Sequence, residues 1–434
     1  MLNKIIIFTL LTFICNTTFC YANECKQIDL NTAIEIAQKN NLDIQSSKMD
    51  VDIAKNEIKI SNRLQNPSLQ TNWNFGKAGK GNPNQIGLAQ TIELGKRTSR
   101  KRLAKANYNL SVEEFEHQKF NLKMDVAEAY VKLVVAKSIL EKNKHQQKFL
   151  EKLLEISNRN NTQNNSLDLD TIEARIALNQ IITEVNKAKT NAKTAKIHFN
   201  RVINSLDGNY DSESYELLQG VSIKGINIPS ISTELPSFKN IENIALQNRY
   251  DIKAAKNQID IANKKLSVVV RQKVPDIEIA SGYGYQTVGL ADDNIYKSGA
   301  YIEANLVNIP LFYSYKPEIK NAQLEVEKAK INYNSTINKA KKSIEIAYEN
   351  FVTAQLNLNN YNDKILKDSE ELFRLFEKTY KVANVDFATL AAVEESYQDL
   401  VVGYSEALSD YYISWINFLR EINSENFSFD IEKI

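Results

Sequence analysis

Glycine and proline are scarce in this 434-residue chain, 13 and 7 in all, and they are clustered. Lys96 to Asp207 contains neither, and Glu318 to Ile434 contains no proline and only Gly403. Both types are disfavoured in helix interiors, proline for its missing donor and glycine for its backbone entropy. Two breaker-free segments of that length therefore predict very long helices. Histidine is equally sparse: His117, His145 and His198 are scattered without ligand spacing and read as solvated helix residues. No nucleophile elbow, phosphate loop or zinc pattern occurs, so neither enzymatic activity nor a cofactor or metal site is expected. The 54 Lys+Arg and 53 Asp+Glu nearly cancel, which leaves no basic field for nucleic acid. Past the N-terminus no run of 18 apolar residues appears, so no later membrane helix is expected and a strand barrel is the open option.

The N-terminus itself reads as a targeting segment. Lys4 precedes the apolar run Ile5 to Cys20, and Cys20-Tyr21-Ala22 is a small-residue cleavage site. Residues 1–22 are the expected signal peptide, with an uncleaved anchor helix as the alternative. Cleavage leaves only Cys25, so no intrachain disulfide can form.

What is present is an internal repeat. Ile36-Ala37, Asn40, Asp43-Ile44, Lys48 and Asp52-Ile53-Ala54 recur 208 positions later, as Ile244-Ala245, Asn248, Asp251-Ile252, Lys256 and Asp260-Ile261-Ala262. Arg63, Pro67 and Gly76 recur at the same shift as Arg271, Pro275 and Gly284. Ala129-Tyr130, Ala136 and Asp168 return as Ala347-Tyr348, Ala354 and Asp386, now 218 positions on. The chain reads as a duplication, residues 23–235 and 236–434. Each half is ordered helix, strand hairpin, long helix, turn, return helix. The hairpins fall at about 67–95 and 275–312, the helical hairpins at about 96–206 and 316–422.

Thr32 to Arg63 carries the helical period, and then the period drops to two. Leu69, Thr71, Trp73 and Phe75 share one side; Ile86, Leu88, Ile92 and Leu94 alternate with Gln85, Gly87, Ala89, Thr91 and Glu93. The second half repeats this with Ile277, Ile279, Tyr283 and Tyr285, then Ala300, Ile302, Ala304 and Leu306, with Glu303 and Asn305 facing away. Alternation over about ten residues suits a strand with one face in lipid and one in water. Two soluble hairpins would show the same pattern. The export signal and the aromatics Trp73, Phe75, Tyr283, Tyr285, Tyr296 and Tyr301 near the loops favour the membrane.

The long helices carry coiled-coil seams. Leu122, Val126, Ala129, Leu133, Ala136 and Leu140 alternate spacings of four and three, as do Ala174, Leu178, Ile181, Val185 and Ala188. Ile344, Tyr348, Phe351 and Leu358 form a third stripe, and Leu390, Val393, Tyr397, Leu400, Tyr404 and Tyr411 a fourth. Asn161 to Ser166 and Ala383-Asn384 are the expected reversals. Lys96 to Asn160 alone spans roughly 100 Å at ~1.5 Å per residue. Four strands cannot close a barrel, and open edges are excluded from lipid, so the chain must oligomerise.

Taken together, the duplication, the order of elements and the hairpin lengths resemble the TolC family of outer-membrane efflux proteins. The run Gln90-Thr91-Ile92-Glu93-Leu94-Gly95-Lys96-Arg97, followed by Arg100, resembles the strand-to-helix junction of the CzcC-like heavy-metal branch. Ile309-Pro310-Leu311-Phe312 resembles the general family form. Family members usually carry glycine at the hairpin turns, where Asn161 to Asn165 and Ala383-Asn384 stand here. The resemblance implies a mainly helical fold with β: a homotrimer of four transmembrane strands per chain, twelve in all, above a periplasmic helical barrel. It implies an outer-membrane location in contact with lipid, and a periplasmic adaptor and inner-membrane pump as partners. Its implied function is passive conduction, of heavy-metal cations in the CzcC-like branch, with drugs or secreted proteins as the alternative cargo. A periplasmic adaptor and a non-conducting coiled-coil protein are the rivals from other classes. Adaptors usually carry one helical hairpin with glycine-rich β modules; here there are two hairpins and little soluble β sequence.

Two residue groups are candidates for function. Asp170 and Glu173 share a face at the start of a return helix, where the resemblance implies an acidic periplasmic constriction. The alternative is ordinary helix-start duty, Asp168 capping and the other two favoured by the dipole. At the junction, Gln90, Glu93, Gly95, Lys96 and Arg97 read either as a cap on the inner rim of the barrel or as a substrate contact.

Overall fold

The computed structural model describes residues 26–72, 83–164, 169–205, 210–213, 237–286, 298–361, 363–381 and 387–424. The expected signal peptide, Cys25, Trp73, Phe75, Tyr296, Asp168 and the Ala383-Asn384 reversal lie outside them. Nine helices and six strands are described. The strands are β1 (Lys26–Ile28), β2 (Ser68–Asn72), β3 (Pro83–Ile92), β4 (Tyr210–Ser212), β5 (Asp276–Gln286) and β6 (Gly299–Val307). The helices are α1 (Leu30–Asn40), α2 (Leu42–Ser61), α3 (Lys96–Asn164), α4 (Leu169–Val202) and α5 (Phe238–Asn248). They continue with α6 (Tyr250–Arg271), α7 (Lys316–Asn359), α8 (Asp363–Lys381) and α9 (Phe387–Ile422). None of these helices is long and apolar enough to cross a membrane.

Three expectations about element boundaries are corrected. The helix read over Thr32 to Arg63 is two helices, parted at Asn41, whose φ of −65° and ψ of 121° are extended. Arg249 parts α5 from α6 in the same way, at φ −54° and ψ 129°, and it stands 208 positions after Asn41. Neither break carries proline or glycine, which is why the pattern ran through them. The first reversal is also shorter than read, because α3 runs on to Asn164. The outgoing helix of the second helical hairpin, in turn, stops at Asn359 and resumes at Asp363. The run Asn357-Leu358-Asn359-Asn360-Tyr361 explains it, since asparagine side chains compete for backbone groups. The Tyr361 ring then lies on α9, where a β-carbon at Gly403 would stand 2.6 Å from its hydroxyl. Gly403 is the price of that stop.

Two compact units divide the chain. One, drawn from Met1–Asn41, Leu122–Thr233 and Phe351–Ile416, has among its described residues helices and a short parallel pair, β1 with β4. Its seams follow the heptads: Val126, Ala129, Leu133, Ala174, Phe351 and Leu390 are all buried. Burying such stripes supplies most of a helix bundle's stability. Lys137 fixes the small sheet, donating to Asp211 Oδ1 at 2.9 Å and to the Ser212 carbonyl at 2.9 Å. Burial works against the Asp211 charge, but Lys137 and Lys196 hold its pKa below the usual value.

The other unit, drawn from Leu42–Asn121, Glu234–Asn350 and Asn417–Ile434, holds a four-stranded antiparallel sheet in the order β2-β3-β5-β6. Ser68 faces Ala89 in the first hairpin and Asp276 faces Val307 in the second. The first strands are thus offset by 208 positions and the second strands by 218. Helix α6 packs on the N-terminal part of α3: the Tyr250 ring stacks on His117 at 4.2 Å, and Asn257 donates to Glu113 at 2.5 Å. His117 is therefore a packed residue whose pKa burial pushes down, not a solvated one; His145 and His198 are exposed as expected.

Candidate functional site

The sheet has two chemically opposite faces, set by strict alternation through paired registers. On one face stand Leu69, Ile86, Leu88, Ile279, Ile302 and Leu306. Leu69 is 66% exposed, Leu88 57%, Ile302 81% and Leu306 62%. The other face carries Gln70, Gly87, Ala89, Glu278, Ala280, Gly282 and Glu303, and there Ala89 is 2% exposed and Ala280 fully buried. Apolar side chains thus point outward and polar or small ones inward, the reverse of a water-soluble sheet over a dry core. Tyr283 joins the apolar face, half exposed. Tyr301 does not: it pairs with Gly282 and its hydroxyl lies over Gly87 on the polar face. Tyr301, counted among the aromatics near the loops that favour the membrane, thus stands on the polar face; alternation, not proximity to a loop, decides its side.

Strands β3, β5 and β6 run to 10, 11 and 9 residues, lengths that cross an apolar layer when tilted. Among the described residues, the outer edges of β2 and β6 pair with nothing. Since each neighbour in the order is antiparallel, β2 and β6 also run in opposite directions. An edge of one sheet can therefore pair antiparallel with the opposite edge of an identical sheet.

Where β3 turns into α3, the candidate residues Gln90, Glu93, Gly95 and Lys96 come together. Gly95 takes φ +78°, a left-handed value that suits glycine, and starts the turn. Arg100 clasps Glu93 through both guanidinium nitrogens, at 2.7 and 2.6 Å. That bidentate donor holds the Glu93 carboxyl below the usual carboxylate range. Gln65 donates to Glu93 at 3.3 Å, and Gln90 donates to the Gln65 carbonyl at 2.8 Å. Lys96 reaches Asp276 at the start of β5, at 2.7 Å, and Asn308 donates to the same oxygen at 3.0 Å. Asp276 is 3% exposed. Arg97 lies on the first turn of α3, outside this network. Gln65, Arg100, Asp276 and Asn308 are the members the sequence did not nominate as candidates. Only Arg100 could have been found, from its place one turn after the motif.

Asp170 and Glu173 sit in the first turns of α4, both partly buried. Between them Thr171 is buried and shares a 2.8 Å hydrogen bond with Ser157 of α3, which ties the helix start to its partner. No group of three or more His, Cys, Asp or Glu among the described residues is placed to hold a metal ion.

Comparison with known proteins agrees with this geometry. Residues 33–205 match the sequence profile of the family described as outer membrane efflux protein. No curated protein sequence matches the chain. The Campylobacter jejuni CmeC outer membrane channel superposes with a TM-score of 0.72 at 17% identity, covering 93% of this chain and 88% of its own. CusC gives 0.71 at 15%, covering 94% and 96%. The open state of the Neisseria gonorrhoeae MtrE outer membrane channel gives 0.68 at 16%, covering 95% and 94%. This chain therefore has the TolC-like fold of the outer membrane efflux proteins.

Proposed function

We propose that the chain is a member of the TolC family and forms the outer-membrane duct of a tripartite efflux system. It conducts passively what an inner-membrane pump and a periplasmic adaptor deliver, and it performs no catalytic step. One observation carries this reading: a sheet whose exposed face is apolar and whose two free edges are complementary in direction. Such a sheet is stable in lipid only when copies of it close a ring. Three copies, as in the TolC family, give twelve strands with the apolar faces outward and the polar faces lining a lumen. The halves 23–235 and 236–434 are then the two pseudo-equivalent units of each protomer.

The junction network is read as a lock between barrel strand and helix, because its charges face each other rather than an open space. Asp170 and Glu173 are assigned to the periplasmic constriction. The cargo assigned from the Gln90 to Arg97 run is divalent heavy-metal cations, with selection made by the pump.

The test is the native mass of detergent-purified protein together with conductance in planar bilayers. Three chains per particle and stepwise ion conductance are expected; a stable conducting monomer would refute the closure argument. For the cargo, deletion should sensitise cells to zinc, cobalt or cadmium. Unchanged metal tolerance with lost dye tolerance or a missing secreted protein would overturn the cargo and leave the duct.

A further inference from the structure

The four-stranded sheet meets its helices at one end only: α2 leads into β2, β3 into α3, α6 into β5 and β6 into α7. Ten helical residues beside each strand, about 15 Å of helix, with their links, make the segments 52–67, 93–105, 262–276 and 308–325. These hold fifteen Lys or Arg and six Asp or Glu, in a chain whose formal net charge is +1. The rest of the chain is therefore net acidic, and cations are gathered on this one rim.

Most of the carboxylates there are occupied. Arg100 clasps Glu93, Lys96 meets Asp276, and Lys265 meets Glu325 at 2.8 Å. Tyr313 donates to Glu318 at 2.6 Å, and Lys264 pairs with Asp260 just outside the segments. Asp52 and Glu57, both exposed on α2, are the two that remain. Against them stand eleven cations with no carboxylate partner among the described residues. On α3, Arg97, Lys101 and Lys105 form a stripe at four-residue spacing, with Arg102 beside it. Lys55, Lys59 and Arg63 close the α2 side, Arg271 and Lys273 precede β5, and Lys316 and Lys320 open α7. All but the partly buried Arg97 are exposed.

The same rim carries an exposed apolar segment. Residues 309–314 run between Asn308 and Tyr315, which take left-handed φ values of 57° and 54°. Such a φ is uncommon for asparagine and an outlier for tyrosine, so the segment is held in its shape at a cost. It presents Ile309, Leu311 and Tyr313 about half or more exposed and Phe312 fully so. It follows directly on β6, whose Ile302 and Leu306 stand on the apolar face of the sheet. Apolar side chains beside a ring of cations match the boundary of a bilayer, acyl chain next to phosphate.

We infer that this rim grips the periplasmic leaflet of the outer membrane. Leu311 and Phe312 enter the acyl layer, and the unpaired cations of α2, α3, α6 and α7 meet the phosphates of anionic phospholipids. The inference rests on the duct reading, in which the apolar face lies in lipid and the long helices leave toward the periplasm. It adds which lipid the rim selects and which residues select it. Lipopolysaccharide phosphates belong to the opposite leaflet, at the other end of the strands.

Lipid retention tests it. The full chain is purified from outer membranes, placed in vesicles of equal phosphatidylcholine and phosphatidylglycerol, and re-extracted in mild detergent for headgroup analysis. Phosphatidylglycerol should be retained in about threefold excess, and molar salt during extraction should abolish that excess. Lys101→Gln with Arg102→Gln and Lys105→Gln should lower the excess by about half, with conductance and ion selectivity unchanged. Lys189→Gln with Lys193→Gln, exposed on α4, should leave the excess as it was. Phe312→Trp should add an emission that brominated acyl chains quench. Equal retention of the two lipids, or an added emission that stays unquenched, would overturn the proposal and leave the duct. So would a triple variant with altered ion selectivity and an intact lipid excess, since its cations would then line the lumen. An unmodified chain that neither reaches the outer membrane nor conducts would instead overturn the duct.

Discussion

Gln70 on β2 donates to Glu278 on β5 at 3.0 Å, although β3 lies between their strands. The two residues stand 208 positions apart, so they occupy positions related by the repeat. The bond crosses the polar face of β3 in the region of the small residue Ala89, which lies between Gly87, the partner of Gln70, and Thr91, the partner of Glu278. It ties one hairpin to the other directly, in addition to the β3–β5 ladder.

The closeness of β3 and β5 at this point depends on a glycine pair. A β-carbon at Gly282 would run into the Ile86 carbonyl and stand 2.5 Å from Gly87 Cα. Gly282→Ala should therefore force the strands apart, at a cost of about 1–3 kcal/mol. Heat resistance of the oligomer on mildly denaturing gels should fall, whereas Gly299→Ala, with nothing near its β-carbon, should leave it within error.

The junction separates two roles by experiment. With the charges of Glu93 and Arg100 satisfied by each other, Glu93→Gln should lower thermal stability by about 1–2 kcal/mol. Conductance and ion selectivity should stay as they were. The opposite result, normal melting with altered selectivity, would make Glu93 a lumen contact instead. Lys96→Met should cost at least as much, because it strands Asp276, a nearly buried carboxylate.

The parts readable from sequence are those governed by local periodicity. Alternation placed Leu69, Leu88, Ile279 and Ile302 on one face, and heptads placed Leu133, Ala174 and Leu390 inside, because each signal is written over consecutive turns or strands. The unread parts depend on distant partners. Lys96 is legible as a junction residue, but Asp276, 180 positions away, is brought to it only by the β3–β5 pairing. Likewise the β1–β4 pair has three residues a side, too few for a pattern. Asn41 and Arg249 part their helices where Asn204 and Asn423 donate to the carbonyls of Asn40 and Asn248, contacts with distant residues that no breaker residue announces.

At the start of α4, Asp170→Asn with Glu173→Gln should weaken cation preference and multivalent-cation block in planar bilayers. The change should be largest at low salt, where screening is weakest. Selectivity that stays put, with a small drop in melting temperature, would return both residues to helix-start duty, worth about 0.3–1 kcal/mol.

Glu394 on α9 makes stability depend on pH. It is 2% exposed, and burial, with Glu395 and Asp399 adding like charge, raises its pKa from 4.5 to about 7 against the opposing hydrogen bonds from Gln146 and Gln398. Gln146 of α3 donates to Oε2 at 3.0 Å. Below pH 4.5 the carboxyl is protonated folded and unfolded alike, so its pH-dependent contribution is constant. Between 4.5 and about 7 the unfolded chain releases the proton while the folded chain keeps it, so stability falls as pH rises through that window. Above it the loss is complete, on the order of 1–3 kcal/mol per chain. Glu394→Gln keeps the shape and cannot ionise. Its melting temperature should match the parent at pH 4.5, exceed it increasingly up to pH 7, and hold that margin at pH 8. Parallel melting curves for the two proteins across the whole range would show that Glu394 is not held protonated by its surroundings.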